Sequence, residues 1–453
     1  MKLLLTVLFV VPALALANPF PDESKVPKDK ISYSPDIPVI SQDFDKVALP
    51  VLRLQVDWTL SGNNEVFSLG KILKENSGTP AMLKARLNLP RWGSYLGTLT
   101  CDGVKYYDSV GTGSAYRKLT RAMTFRYPLP ATDCQFSLKA ENPTTGQMNI
   151  VLESTIFQDK IQEAPLQTVS VTPLQAALKE EKLYVTIYAD GYKKDDEAKF
   201  LKRAAEVVKS LNKLAFPGIE YFEFNAVFAP SNTTLGLAKN LGLPVKTKDS
   251  FLGLYFPYWA GDIVTRWFNI VYPTNEEKFR NGLGLVAYDY PIILIDSSTY
   301  WGIGNYKALT AIPSDSSSFS YLLYHELGHF FGLNEEYDGG GPTELEFARD
   351  MKEPWSQNLT FSSPTDGSID AHTIKWKELL FLNVPLPTPK KFWDSHKSEE
   401  PIGAYLGGYA DSEPVKRSFI PVIPGACIMH SASKFCQVCT QGILDIVHFD
   451  LGR

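Results

Sequence analysis

The sequence predicts a multidomain chain, an all-β sandwich followed by an α/β domain that carries the chemistry. From about residue 50 to about 160 the apolar residues alternate with period two, whereas from Leu183 an apolar strand, a helical repeat and a second apolar strand follow in turn. All six histidines, at 325, 329, 372, 396, 430 and 448, lie in the second part, so histidine chemistry belongs there.

At 453 residues the chain exceeds one ordinary core, and two domains is the expected count. With 44% hydrophobic and 21% charged residues and no long single-sign run, it can bury those cores. A net charge of -5 supplies no basic excess for phosphates, so nucleic acid is not an expected partner.

The chain opens as an address label. Lys2 precedes an almost wholly apolar run over residues 3–16, and Ala15-Leu16-Ala17 is a small-x-small cleavage site, so residues 1–17 are expected to be a signal peptide and the mature protein to be extracellular. Asn18-Pro19 ends that run short of the roughly 20 apolar residues of a transmembrane helix, and no later segment is long enough to span a bilayer.

Residues 18 to about 50 are rich in Pro, Asp and Lys without periodicity, an extended leader into a first domain expected over residues 18–165. Within it Leu52, Leu54, Val56 and Trp58 alternate with Arg53, Gln55 and Asp57, and Phe136, Leu138 and Ala140 alternate with Gln135, Ser137 and Lys139. Each run has one dry face, and similar short runs between Gly, Asn, Pro and Asp clusters suggest a sandwich. Residues 162–181, with Pro165 and Pro173, separate this from a second domain expected over residues 180–453. There residues 183–189 read as a strand, and Phe200, Ala204, Val207, Val208 and Leu211 recur at helical spacing. Residues 222–229 and 291–296 read as further strands, the last running into residues 297–300 and then Gly302 and Gly304.

Five cysteines in an exported chain suggest disulfides. The expected bridges are Cys101 with Cys134, and Cys427 with Cys436 or Cys439, leaving one thiol over. A structural zinc site at Cys436-Gln437-Val438-Cys439 would need four protein ligands, and too few candidates sit at finger-like spacing, so a bridge is preferred. Asn232 and Asn358 begin glycosylation sequons.

His325-Glu326-Leu327-Gly328-His329 carries the chemistry. A His-acid-x-x-His pattern arises in at most about 1% of random chains of this composition, which speaks for a real motif. Residues four apart on a helix share a face, so His325 and His329 can aim two imidazoles at one ion, and Glu326 lies beside them as a proton acceptor for an activated water. Asp315 and the serines at 316–318 form an N-cap, while Phe319, Leu323, Leu327, Phe330 and Phe331 give the helix an apolar face. Gly332 can adopt positive φ and turn the chain back toward the ion.

Residues 325–332 with Glu335 resemble the metzincin metallopeptidases, whose pattern is His-Glu-x-x-His-x-x-Gly-x-x-ligand. Glu335 occupies the ligand position, where metzincins usually carry His or Asp. Within that group the chain most resembles the IgA-peptidase-like zinc metallopeptidases, through His-Glu-x-Gly-His-x-Phe-Gly, Glu335-Glu336-Tyr337, Asp190-Gly191-Tyr192, residues 297–300, Trp376, Cys427-Ile428-Met429 and Phe435 to Cys439. The resemblance implies a metzincin-like catalytic domain and a zinc-dependent metalloendopeptidase, with one Zn2+ held by His325, His329 and Glu335. Glu326 would be the general base, Met429 a packing residue beneath the metal, and a protein or peptide the substrate. Tyr337 would orient a ligand or polarise the scissile carbonyl, or serve only the fold; Asp190 would support the site or cap the sheet; His430 has no assigned role. By architecture alone, the β domain is available to position the enzyme or to contact a surface or glycan.

Two other readings stay open. One is a thermolysin-like peptidase whose third ligand is a more distant Glu346 or Glu353, against which Gly332 and Met429 speak. The other is an inactive relative serving as a secreted binding protein, against which the intact His325, Glu326 and His329 speak. Glu336, next to Glu335 in extended chain, is expected to face away from the ion.

Overall fold

Alternation over Leu52, Leu54, Val56 and Trp58 becomes the inner face of a strand in a computed structural model of the chain. The structure describes residues 49–61, 64–112, 120–142, 145–232, 250–255, 271–273, 275–298, 301–337, 355–362, 368–408 and 417–453. The expected signal peptide, nearly all of the leader, Tyr300, Asp338, Glu346 and Glu353 lie outside the described residues.

The first region contains β1 (Leu49–Ser61), β2 (Asn64–Gly78), the short helix α1 (Pro80–Ala85), β3 (Tyr95–Cys101), β4 (Val104–Val110), β5 (Ala122–Pro128), β6 (Cys134–Glu141), β7 (Met148–Ile156) and β8 (Gln162–Glu163). They form two four-stranded sheets, ordered β5-β1-β2-β8 and β4-β3-β6-β7. Leu52, Leu54, Val56, Phe125 and Tyr127 of the first sheet share one core with Leu99, Phe136 and Leu138 of the second. The expected Cys101–Cys134 disulfide is present, joining neighbouring strands with a Cα–Cα separation of 4.6 Å.

The other face of β1 departs from the alternation, because its polar residues are not wet. Arg53, Glu75 and Arg126 are 2%, 4% and 7% exposed. Glu75 lies 3.2 Å from both guanidinium groups. Arg126 also stacks 3.9 Å over the ring of Tyr288 and donates to its carbonyl, while Arg53 donates to Asn281. Charged residues are buried here because they are paired against the following region. Glu75→Gln takes away the carboxylate between two buried cations, so it is expected to cost about 3–5 kcal/mol of stability. Thermal unfolding checks this; a change below about 1 kcal/mol would mean that water screens the pair.

The second region is built on a mixed six-stranded sheet. Its elements are β9 (Ser170–Gln175), β10 (Leu183–Asp190), α2 (Glu197–Lys213), β11 (Phe222–Phe228), β12 (Leu254–Tyr255), β13 (Tyr272–Pro273), α3 (Glu276–Leu283), β14 (Tyr290–Ile295), β15 (Ile303–Asn305), β16 (Leu309–Pro313) and α4 (Phe319–Phe330). Strand order is β15-β16-β14-β10-β11-β9, with the inner four strands parallel and both edges antiparallel. Ile187, Phe224 and Ile292 face one core while Tyr188, Val227 and Ile293 face another. Both faces are covered, which is why these strands read as continuous apolar runs. Phe200, Ala204, Val207, Val208 and Leu211 of α2 are buried as their spacing predicts.

The stretch expected only to separate two domains contributes β9, which pairs with β11 at the sheet edge. Pro173 is tolerated there because an edge strand need not donate on its outer side. After α4 come the small sheet β17 (Thr360–Phe361), β18 (Tyr405–Leu406) and β19 (Ser418–Ile420), with α5 (Lys390–His396), and finally α6 (Gln437–Asp450).

Candidate functional site

Helix α4 packs against β15, β16 and α2, burying Phe319, Leu322, Leu323, Leu327 and Phe330. Its start differs from expectation. Ser318 stands at the N-cap position without a side-chain cap, and the Asp315 carboxylate instead pairs at 2.9 Å with both Lys199 and Arg203 of α2. Two cations outcompete the backbone N–H groups for that carboxylate.

At its other end, Gly332 N–H donates to His329 O and Leu333 N–H to Gly328 O, both at 2.9 Å, with Gly332 at φ +80°. This is a Schellman cap, which needs a left-handed residue after the helix. The cap also aims the histidine: Leu333 O, delivered by the turn, accepts from His329 Nδ1 at 2.9 Å. His325 Nδ1 similarly donates to Ile428 O at 3.0 Å.

With both Nδ1 atoms donating to carbonyls, both Nε2 atoms carry lone pairs. These two nitrogens face each other at 3.2 Å, and Glu335 Oε1 stands 3.6 Å from His329 Nε2. In the neutral rings these nitrogens and the Glu335 carboxylate are acceptors that converge, an arrangement that a cation stabilises. Ligand atoms about 2.0–2.1 Å from a tetrahedral zinc lie about 3.3–3.4 Å from one another, so the donor set fits that ion. Burial, helped by the neighbouring His329, holds the His325 imidazole down to about 4, in the neutral form that binds metals.

The site's walls orient its rings. Tyr321 and Tyr337 both stack on His325, at centroid distances of 5.3 and 5.9 Å, and His430 meets Tyr337 edge-on at 6.1 Å. Tyr321 Oη donates to the His430 carbonyl at 3.1 Å. Met429 is fully buried under the helix at Gly328, where any Cβ would strike its sulfur and the Phe435 ring.

Glu326 is 7% exposed. Burial pushes its carboxyl up to about 7, a rise that Glu335 reinforces while His329 and the Gly304 N–H oppose it. A group poised there can both accept and return a proton near neutrality. Strand β15 and the residue before it make the room: a Cβ at Gly302 would lie 2.7 Å from Glu326 Cγ, and one at Gly304 would lie 2.7 Å from His329 Cβ. The spacing of Gly302 and Gly304 gave no hint of this, since glycine in a short strand reads first as a turn.

His325, Glu326, His329 and Glu335 therefore come together, with Tyr337 and His430 beside them. His372, His396 and His448 serve other places; His396 Nδ1 bonds Phe392 O and His448 packs on Tyr221. Asp190 caps the sheet end, its carboxylate accepting from Leu252 N–H at 2.8 Å, and burial raises it to about 6. Trp376 is structural, donating to Gly403 O at 2.7 Å.

Two expectations are corrected. Cys427, Cys436 and Cys439 are free buried thiols, so the second bridge is absent; the Cys427 and Cys439 sulfurs stand 3.6 Å apart. Asn358 is fully buried, its amide donating to Asn334 O and Glu336, which leaves no room for a glycan, whereas Asn232 is exposed.

A family model described as IgA Peptidase M64 matches residues 172–404, which is 233 of the 453 residues and spans α4 through Tyr337. No curated protein matches the chain. Among the described residues no helix is long and apolar enough to cross a membrane.

Proposed function

Because the chain belongs to the IgA Peptidase M64 family, a family of metallopeptidases, we propose that it is a secreted zinc-dependent metalloendopeptidase. In this reading an N-terminal β-sandwich domain over residues 18–165 precedes a metzincin-like catalytic domain over residues 180–453. His325, His329 and Glu335 hold the ion. The observation that carries the reading is the pair of Nε2 atoms 3.2 Å apart, each imidazole locked by a carbonyl on its other nitrogen, beside a buried carboxylate.

Zinc bound there would supply Lewis acidity, polarising the peptide carbonyl and lowering the pKa of water to about 7. Glu326 would take a proton from the attacking water and return it to the leaving amine. The Tyr321 and Tyr337 rings hold the His325 plane. Strand β15, outermost in the sheet and next to Glu326, offers an extended substrate a line of backbone to pair with. The β-sandwich is free in this reading to contact a surface or glycan.

Casein cleavage tests it. Activity is expected to vanish with 1,10-phenanthroline and to return on adding zinc after dialysis. Cleavage undiminished by the chelator would remove the metal from the reaction, and no cleavage by zinc-loaded protein would favour a binding role. For the third ligand, Glu335→Ala is expected to weaken zinc at least tenfold and Glu335→Asp to keep part of the affinity, with Glu346→Ala and Glu353→Ala near wild type. Zinc lost in Glu353→Ala but not in Glu335→Ala would indicate the thermolysin-like layout.

A further inference from the structure

Glu336 meets, in the interior, three cysteines that lie about 90–100 residues further along the chain. A carboxylate oxygen of Glu336 and the sulfurs of Cys427, Cys436 and Cys439 all lie within 4.8 Å of one another, and all four residues are buried. We propose that this cluster is a second, structural zinc site, coordinated by three cysteine sulfurs and one oxygen of Glu336.

The separations suit a tetrahedral ion. Cys427 Sγ lies 3.6 Å from Cys439 Sγ, and Cys439 Sγ lies 3.1 Å from Glu336 Oε1. Zinc with Zn–S near 2.3 Å and Zn–O near 2.0–2.2 Å places such atoms about 3.8 and 3.6 Å apart, so both pairs need to open by less than about 0.6 Å. Three soft sulfurs and one carboxylate select zinc over the hard cations.

The carboxylate itself calls for a cation. Glu336 is 1% exposed, Oε1 accepts from Asn358 Nδ2 at 3.0 Å and from the Cys439 thiol at 3.1 Å, and Oε2 is buried without a hydrogen-bond partner. A buried carboxylate oxygen without a partner is costly, and a metal ligated there would complete it.

Cysteine geometry points the same way. Cys436 is the N-cap residue of α6 and Cys439 lies in its first turn, so both sulfurs sit at the start of one helix. The Cys436 N–H is directed at Cys427 Sγ at 3.4 Å. Three sulfurs could form only one disulfide, which would strand the third thiol and the carboxylate in the core. The chain forms its bridge at Cys101 and Cys134 and leaves these three free. On binding, the coordinating thiols release their protons to solvent.

This ion would brace the catalytic centre. Cys427 immediately precedes Ile428, whose carbonyl orients His325, and Glu336 immediately follows Glu335. Glu336 N–H also donates to Met429 O at 3.0 Å. One structural zinc would therefore tie the segment after α4 to the turn beneath it.

Elemental analysis of the full chain is expected to give two zinc per molecule, one of which survives in the His325→Ala, His329→Ala double variant. Cobalt exchanged into that variant should show a thiolate-to-cobalt charge-transfer band in the near ultraviolet. Glu336→Gln in the same background should lower cobalt affinity at least tenfold, and Cys436→Ser or Cys439→Ser should weaken the band, since each removes one of three cobalt–sulfur bonds. The proposal is overturned if the double variant holds no metal, if cobalt gives no such band, or if unreduced peptide mapping finds Cys427 bridged to Cys436 or Cys439. Should the cysteine variants fail to fold, the cobalt spectrum of the double variant decides alone.

Discussion

Glu326→Gln is expected to bind zinc as the wild type does and to cleave peptide bonds about 10²–10⁴-fold more slowly, the usual contribution of a positioned acid-base group. The amide matches the carboxylate in shape, so the space opened by Gly302 still receives it. What it lacks is a site for the proton. The loss should therefore fall on kcat with KM little changed, since the carboxylate acts mainly in the transition state. Activity within tenfold of wild type would remove Glu326 from the proton relay. Loss of zinc would make it a ligand instead.

His325→Ala and His329→Ala are each expected to hold one zinc equivalent fewer than wild type and to fall to the activity of chelator-treated protein. Each imidazole contributes one of the two facing Nε2 atoms, and neither neighbour can replace it. His325→Ala should also destabilise the fold by about 1–3 kcal/mol, because it leaves the buried Ile428 carbonyl without its donor. Metal analysis after dialysis and thermal unfolding separate the two effects. Full zinc occupancy in either variant would exclude that histidine as a ligand.

Much of the centre was legible because its signals are local. His325 and His329 share a helix face by periodicity alone, and Gly332 announces the turn that brings Leu333 and Glu335 back to them. Three of the four inner strands, β10, β11 and β14, were legible too, as apolar runs covered on both faces, whereas β16 was not read. What escaped depends on partners distant in sequence. Alternation in β1 marks Arg53 as polar, yet it cannot show that Glu75 and Asn281 will bury it. Asp315 read as a helix cap until Lys199 and Arg203 claimed it. Spacing rules sought a fourth zinc ligand near Cys436 and Cys439, whereas Glu336 lies 103 residues before Cys439. The sequon at Asn358 was read from three residues, and its burial is a property of the whole fold.

The most direct test of the central claim is an anomalous difference map, measured at the zinc edge from crystals of the full chain. A peak is expected about 2.0–2.1 Å from the Nε2 atoms of His325 and His329, with a carboxylate oxygen of Glu335 completing the protein ligands. No anomalous density between the two histidines in zinc-loaded crystals, or density there completed by Glu346 or Glu353 in place of Glu335, would contradict it.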